Sequence, residues 1–200
     1  MNGLPGRPAI VLVLWAISAG CASTAPSRFY LLDPLAMPEG AGPPAAGDIS
    51  IGVGPVKLPG YLDRPQIVTR DGSPEISVAE FDRWAEPLSE NFVRVLGENL
   101  STLLGTDLIA VFPWRGTHPL RYRVTVDVTR LDGELGGNAV LSARWAVGGK
   151  TDAEPVIVKK TSLTEPVDGG YKALVAAQSR LLGALSREIA AEIKTASRVR

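Results

Sequence analysis

Two stretches of the chain carry apolar side chains at the three- and four-residue spacing of an amphipathic helix. The first covers residues 86–104, where Pro87 suits an opening turn and Gly105 suits the end. Its apolar positions are Leu88, Phe92, Val95, Leu96, Leu100, Leu103 and Leu104. The second begins at Tyr171 and keeps one apolar stripe as far as Ile193, opposite a charged side. The pattern therefore predicts two long helices, each with one face to bury.

Shorter stretches alternate apolar and polar side chains with the period of two that is typical of β-strands. We predict strands at residues 29–32, 48–53, 66–70, 76–78, 108–112, 122–129, 141–147 and 156–163. Short turns join the last three strands, which predicts an antiparallel meander. A central strand needs backbone N–H donors, which Pro55, Pro59 and Pro65 lack. The pattern therefore predicts turns from residue 54 to the edge strand at residues 66–70.

Helices and strands of this kind predict a mixed α/β fold, because an amphipathic helix needs a sheet face to cover. The sequence shows no internal repeat. We expect a mostly antiparallel mixed sheet covered by the two long amphipathic helices. The chain has 200 residues, which suits a single domain, here residues 29–200. Within it, residues 35–47 are rich in Pro, Gly and Ala and are predicted to be a flexible connection.

The first twenty residues follow the pattern of a secretory signal peptide. Arg7 gives a positive start, residues 9–17 are apolar without interruption, and residues 18–20 are small. The stretch that ends in Cys21 resembles a bacterial lipobox, although Ser18 stands where such motifs usually have leucine. The resemblance implies that residues 1–20 are removed, that Cys21 carries the lipid anchor, and that residues 21–28 form a tether. Ala22, where an aspartate would imply inner-membrane retention, implies sorting to the outer membrane.

Charge and composition argue against several classes of function. Lys and Arg number 21 and so do Asp and Glu, so no basic surplus supports nucleic-acid binding. A single cysteine excludes an intrachain disulfide and a thiolate metal cluster. The single histidine, His118, would have to carry any serine hydrolase mechanism. No catalytic motif accompanies it, so we expect no enzyme, no metal and no cofactor beyond the lipid on Cys21.

Four residues are candidates for binding a partner protein. Tyr61 and Leu62 form an apolar pair in a Pro/Gly-rich loop, where a contact surface and a place in the core are both open. Arg64 follows them in the same loop. Trp84, beside Arg83, is either a binding anchor or a core residue that fixes the entry to the helix, and the core alternative is favoured. We take residues 60–65 as the first candidate contact.

The chain resembles the ABC-type transport auxiliary lipoproteins, the PqiC/YmbA-like family. The resemblance rests on the lipobox, on the string Y-L-D-R-P-Q-I-V-T-R (residues 61–70), on R-W-A-E-P-L (residues 83–88) and on the final helix that begins with Tyr171. It covers nearly the whole mature chain. Those two strings are its specific part, and the rest is ordinary patterning.

The resemblance implies a lipoprotein on the periplasmic face of the outer membrane that works in lipid traffic across the cell envelope. Its partners would be an MCE-domain protein that forms a tube, with a permease and an ATPase, and it would dock the end of that tube, in a ring of copies. Two alternatives stay open. One is an envelope-stabilising structural lipoprotein with no transporter partner, and the other is a hydrolase that depends on His118.

Overall fold

The computed structural model describes residues 25–36, 49–72, 74–114, 119–149 and 155–198. The predicted signal peptide, Cys21, most of the Pro/Gly/Ala-rich segment and His118 lie outside the described residues. Within them the chain forms a mixed α/β domain with two sheets and two long helices. The predicted fold class is confirmed.

The larger sheet has five strands in the order β5-β2-β6-β7-β8. They are β2 (Ile51–Lys57), β5 (Ile109–Val111), β6 (Tyr122–Gly133), β7 (Asn138–Gly148) and β8 (Pro155–Pro166). Strands β6, β7 and β8 pair antiparallel in sequence order, so the predicted meander is confirmed. Strand β2 pairs in parallel with both β5 and β6, which alternation alone does not predict.

The smaller sheet has three strands in the order β1-β4-β3. They are β1 (Arg28–Tyr30), β3 (Gln66–Thr69) and β4 (Ser77–Trp84). Strand β1 pairs with β4 in parallel, whereas β3 pairs with β4 antiparallel and lies at the edge, as predicted. Four strands therefore precede the first helix in the described chain, at the four segments predicted, and they are divided between two sheets.

Both helices cover the same face of the larger sheet. Helix α1 (Leu88–Leu104) packs against β2 and β5, helix α2 (Tyr171–Arg198) packs against β6 to β8, and the helices contact each other. Gly105 ends α1 in the left-handed conformation at φ 64°, which glycine adopts without steric cost. Between helices and sheet, the alternating apolar side chains of the strands meet the helical stripes and form one core.

The prediction that the prolines exclude a central strand after residue 53 is wrong for Pro55. Strand β2 runs through Pro55 to Lys57 between β5 and β6. The register with β6 shifts between Val53 and Val56, and this irregularity takes the residue without an N–H out of the ladder. Gly54 has φ 111°, and a Cβ there would lie 2.8 Å from Cβ of Phe112. Only glycine fits this irregularity.

Residues 31–36, which we call the strap, follow β1 and lie against both helices. The backbone N–H of Leu32 donates to Oδ1 of Asn91, and that of Leu35 donates to Oδ1 of Asn99, each at 2.7 Å. The N–H of Asp33 donates to Oγ of Ser179 on α2. The predicted flexible connection at residues 35–47 is therefore wrong at Leu35, whose amide is held by a buried helix side chain. Residues 37–47 lie outside the described residues.

Candidate functional site

A cleft of about 530 Å³ lies between the loop after β2 and the beginning of helix α1. We call it the α1 cleft. A short 3₁₀ turn at Gly60–Leu62 and the end of β4 form its walls. Its lining residues are Leu58, Gly60, Leu62, Asp63, Arg64, Pro65, Trp84, Ala85, Glu86, Pro87, Leu88 and Ser89. Three of the four candidate residues, Leu62, Arg64 and Trp84, thus come together in one site.

The floor of the α1 cleft belongs to the hydrophobic core. Leu62 is 4% exposed, Trp84 is 5% exposed, and Leu88 is buried beside them. The backbone N–H of Trp84 donates to the carbonyl oxygen of Pro65 at 2.7 Å, which ties β4 to the loop. Of the two alternatives left open for Leu62, the structure has the core position, because the side chain is buried within the 3₁₀ turn. The core alternative holds for Trp84, and partner binding by these residues stays a prediction.

Tyr61 is an anchor of the loop and does not line the cleft. Its hydroxyl donates to Oδ2 of Asp132 at 2.8 Å, and the Arg70 guanidinium lies 5.7 Å from the ring centroid. Asp132 is fully buried and also pairs with Nε of Arg130 at 2.8 Å and Nε of Arg70 at 3.4 Å. Burial, followed by the hydrogen bond to Asp132, raises the pKa of Tyr61 to about 12. These contacts fix one wall of the cleft in place.

Charged side chains form the rim. Glu86 accepts hydrogen bonds from Nδ2 of Asn91 at 2.7 Å and from Nη2 of Arg94 at 2.9 Å. Hydrogen bonds to Glu86 and then Glu98 raise the pKa of Arg94, so the charge of this arginine is already paired with two carboxylates of the same chain. Arg64 is exposed, and no carboxylate among the described residues forms an ion pair with it. It is the rim cation that a partner can reach.

A second cleft of about 550 Å³ adjoins the first and shares Glu86 and Ser89 with it. Its far end is formed by Val111 and Phe112, which are both half-exposed. The sequence pattern predicts the end of a strand at this pair and no functional role for it. Two exposed apolar residues before Pro113, at the end of a short edge strand, were the signal that could have marked it.

The geometry of the two clefts fits contact with a polypeptide better than chemistry on a small molecule. Ser89 and Glu86 lie together, but the described lining residues include neither histidine nor cysteine. In the described part of the chain, no group of three His, Cys, Asp or Glu side chains is arranged to hold a metal ion. Neither described helix has the length and hydropathy to cross a bilayer. An apolar floor inside a charged rim is the usual anatomy of a protein interface.

Comparison with known proteins decides the family. Residues 30–190 match the model of the family described as the ABC-type transport auxiliary lipoprotein component. The chain belongs to this family. Over 181 residues it is 24% identical to the intermembrane transport lipoprotein PqiC of Escherichia coli, which covers 90% of this chain and 94% of the relative. The relative of the same name in Shigella flexneri matches equally. The resemblance drawn from residues 61–70 and 83–88 is confirmed.

Two solved structures share the fold of this chain. A crystal structure of an uncharacterized protein superposes with a TM-score of 0.66 at 21% identity, covering 84% of this chain and 99% of that chain. A protein from Xanthomonas campestris gives 0.61 at 18% identity, covering 81% and 92%. At these identities the likeness concerns the fold alone. Both sheets and both helices therefore belong to an architecture found in other proteins.

Proposed function

We propose that the protein is an outer-membrane lipoprotein, facing the periplasm, that docks an MCE-type ABC lipid transport system. The observation that carries the proposal is the α1 cleft, a site with a core-fixed apolar floor, a charged rim and no catalytic set among its described lining. Membership of the transport auxiliary family supports it, as does the intermembrane transport named for the relative from Escherichia coli. The protein acts by binding and needs no cofactor.

The α1 cleft suits docking because its shape exists before the partner arrives. The floor residues Leu62 and Trp84 are held by the core, so little conformational entropy is lost when a partner segment covers them. Arg64 on the rim gives the site a charge that a complementary acidic group on the partner recognises. The partner in this proposal is the MCE-domain protein, at the outer-membrane end of its tube, with the permease and ATPase at the other end.

The membrane attachment in the proposal is the lipid on Cys21. Arg28, the first residue of β1, follows Cys21 by seven positions, a span of at most about 25 Å. The domain is thus held close to the membrane, where the end of a transport tube has to deliver or collect lipid. Several acyl chains on one cysteine make such an anchor stable. Copies arranged as a ring around the tube end would bring several clefts to one partner.

The charge reversal Arg64→Glu tests the docking role. We expect it to lower the recovery of the MCE-domain protein in a mild-detergent pull-down by at least about fivefold, because it removes the rim cation and introduces repulsion. Arg64 is exposed, so the melting temperature should stay that of the wild type.

The matched control is Arg144→Glu, a charge reversal at an exposed arginine on β7. It should leave recovery of the MCE-domain protein unchanged. Equal recovery with Arg64→Glu and with the wild type would remove Arg64 from the docking site. Equal losses with both variants would show a general charge effect and contradict a localised site.

A further inference from the structure

Strand β1 and the strap present two exposed apolar side chains on one side of the chain. Phe29 is 64% exposed and Leu31 is 42% exposed. Between them Tyr30 points inward and donates its hydroxyl to Oδ1 of Asp82 at 2.7 Å, and Leu32 after them is buried. The period of two along an extended chain therefore places Phe29 and Leu31 together on the outward side.

This apolar pair is held rigidly on the domain. Arg28 pairs with Oδ2 of Asp82 at 2.8 Å, and the carbonyl oxygen of Tyr30 accepts the N–H of Ala85 at 2.9 Å. The N–H of Leu32 donates to buried Asn91. Contacts therefore fix the backbone on both sides of Phe29 and Leu31. Neither side chain can turn into the core without breaking them.

A cation lies beside the pair. Phe29 is in register with Arg83 on the neighbouring strand β4. Among the described residues no carboxylate forms an ion pair with Arg83, and its Nε is buried without a hydrogen-bond partner. An apolar pair next to a guanidinium that has no carboxylate partner in the described part of the chain matches the two layers of a phospholipid surface, the acyl boundary and the anionic headgroups.

The position of the pair in the chain points to the same occupant. Phe29 follows Cys21 by eight positions, which places it within about 28 Å of the anchored residue. We infer that Phe29 and Leu31 contact the surface of the membrane that holds the lipid on Cys21, with Arg83 facing its phosphates. This inference rests on the proposed function, since it takes the anchor at Cys21 as given. The contact gives the domain a second attachment and sets the orientation of the α1 cleft.

A fluorescent label provides the test in the full-length, lipidated protein. The only cysteine is Cys21, whose sulfur is alkylated in the lipoprotein, so an added cysteine is the single site for a thiol-reactive dye. The label is placed by Phe29→Cys or by Val158→Cys, a similarly exposed apolar position (57% against 64%) on β8 of the other sheet. The protein is reconstituted in vesicles of phosphatidylethanolamine and phosphatidylglycerol that contain a nitroxide lipid.

We expect the nitroxide to quench the label at position 29 by about twofold or more, and to leave the label at position 158 nearly unchanged. Equal quenching at both positions, or none at position 29, would overturn the inference. So would a cross-link between two copies through position 29, because it would show that a second copy covers the pair. The mass of the Cys21 peptide shows separately whether the lipid is present. A peptide without lipid overturns the proposed anchor. With the lipid present, the quenching result reports only on the membrane contact of Phe29 and Leu31.

A second variant tests the native side chains. With the label at exposed Ser27→Cys, the double substitution Phe29→Ser and Leu31→Ser should reduce nitroxide quenching, whereas Val158→Ser should not. Both variants change exposed positions, so each should keep the wild-type melting temperature. The pair has no membrane role if quenching at residue 27 stays the same without Phe29 and Leu31.

Discussion

At the scale of single residues, a buried carboxylate organises the wall of the α1 cleft. Asp132 lies on β6, and its partners come from the loop before β3 (Tyr61), from the residue after β3 (Arg70) and from β6 itself (Arg130). A buried charge is stable only when it is paired and hydrogen-bonded. The cleft wall therefore depends on an interaction whose centre lies far along the sequence from the loop.

The substitution Tyr61→Phe removes one of these partners. We expect it to lower the free energy of unfolding by about 1.5–3 kcal/mol, because it deletes a hydrogen bond to a buried charged group. Urea denaturation followed by circular dichroism measures the change. Tyr122→Phe is the matched control: Tyr122 is buried on β6, and its hydroxyl has no hydrogen-bond partner among the described residues. A loss as large in the control would show that the Asp132 contact carries no special weight.

The same residue predicts a dependence on alkaline pH. The pKa of Tyr61 is raised from 10.0 to about 12, so the folded state keeps a proton that the unfolded state loses above pH 10. The stability that Tyr61 contributes is thus fully present below pH 10 and is lost as the pH rises towards 12. Burial also raises the pKa values of Tyr30 and Tyr171, so the difference between wild type and Tyr61→Phe isolates Tyr61. That difference should shrink above pH 10.

What the sequence predicts about these residues follows from where their contacts come from. The core alternative for Trp84 could be favoured because Trp84 stands just before a recognisable helix. The burial of Leu62 could not be predicted, since it depends on a 3₁₀ turn of three residues that has no recognisable sequence pattern. The hydrogen bond between Tyr61 and Asp132 spans 71 positions, and no local pattern connects them. Local patterns therefore place candidate residues near the site but do not say which of them face a partner.

At the scale of elements, the strap is attached to helix α1 by two buried amides. Asn91 and Asn99 are eight positions apart, which places them on the same side of the helix. They accept the backbone N–H groups of Leu32 and Leu35, respectively, and Asn99 also donates to Oγ of Ser186 on α2. Polar side chains in the apolar stripe thus hold a segment without regular structure.

The substitution Asn99→Ala tests this attachment. It leaves the amide of Leu35 without its acceptor and removes the hydrogen bond that Oγ of Ser186 accepts, so we expect a loss of about 1–3 kcal/mol in the free energy of unfolding. Amide hydrogen exchange at Leu35 should become faster at the same time. Asn138→Ala changes an exposed asparagine at the start of β7 and should alter neither quantity. Unchanged exchange at Leu35 in Asn99→Ala would contradict the attachment.

Helices and strands could be predicted from the sequence where one face is buried and the other is exposed to solvent. Both helices and the meander of β6 to β8 follow from apolar spacing within each segment. The predicted strand ends at residue 53, whereas β2 continues to Lys57. The prediction excludes proline from a central strand and does not include the local register shift that Gly54 permits. The parallel pairings of β2 and β1 join segments far apart in the sequence, so turn patterns give no information about them.

At the scale of the whole molecule, β1 connects the surface that we assign to the membrane with the α1 cleft. Its outward side carries Phe29, which we assign to the membrane surface, and Tyr30 is in register with Trp84 in the floor of the α1 cleft. The membrane contact and the docking site that we propose therefore lie close together. In the proposed function, a lipoprotein built in this way would hold the end of a transport tube at the membrane that supplies or receives the lipid.

Photo-crosslinking in cells tests whether the α1 cleft docks an MCE-domain protein. A photoreactive amino acid is placed at position 64 or, as the control, at exposed position 144, and the captured proteins are identified by mass spectrometry. We expect capture of the MCE-domain protein from position 64 and not from position 144. Recovery of the lipoprotein alone, or with peptidoglycan fragments, from position 64 would contradict it and favour an envelope-stabilising structural lipoprotein.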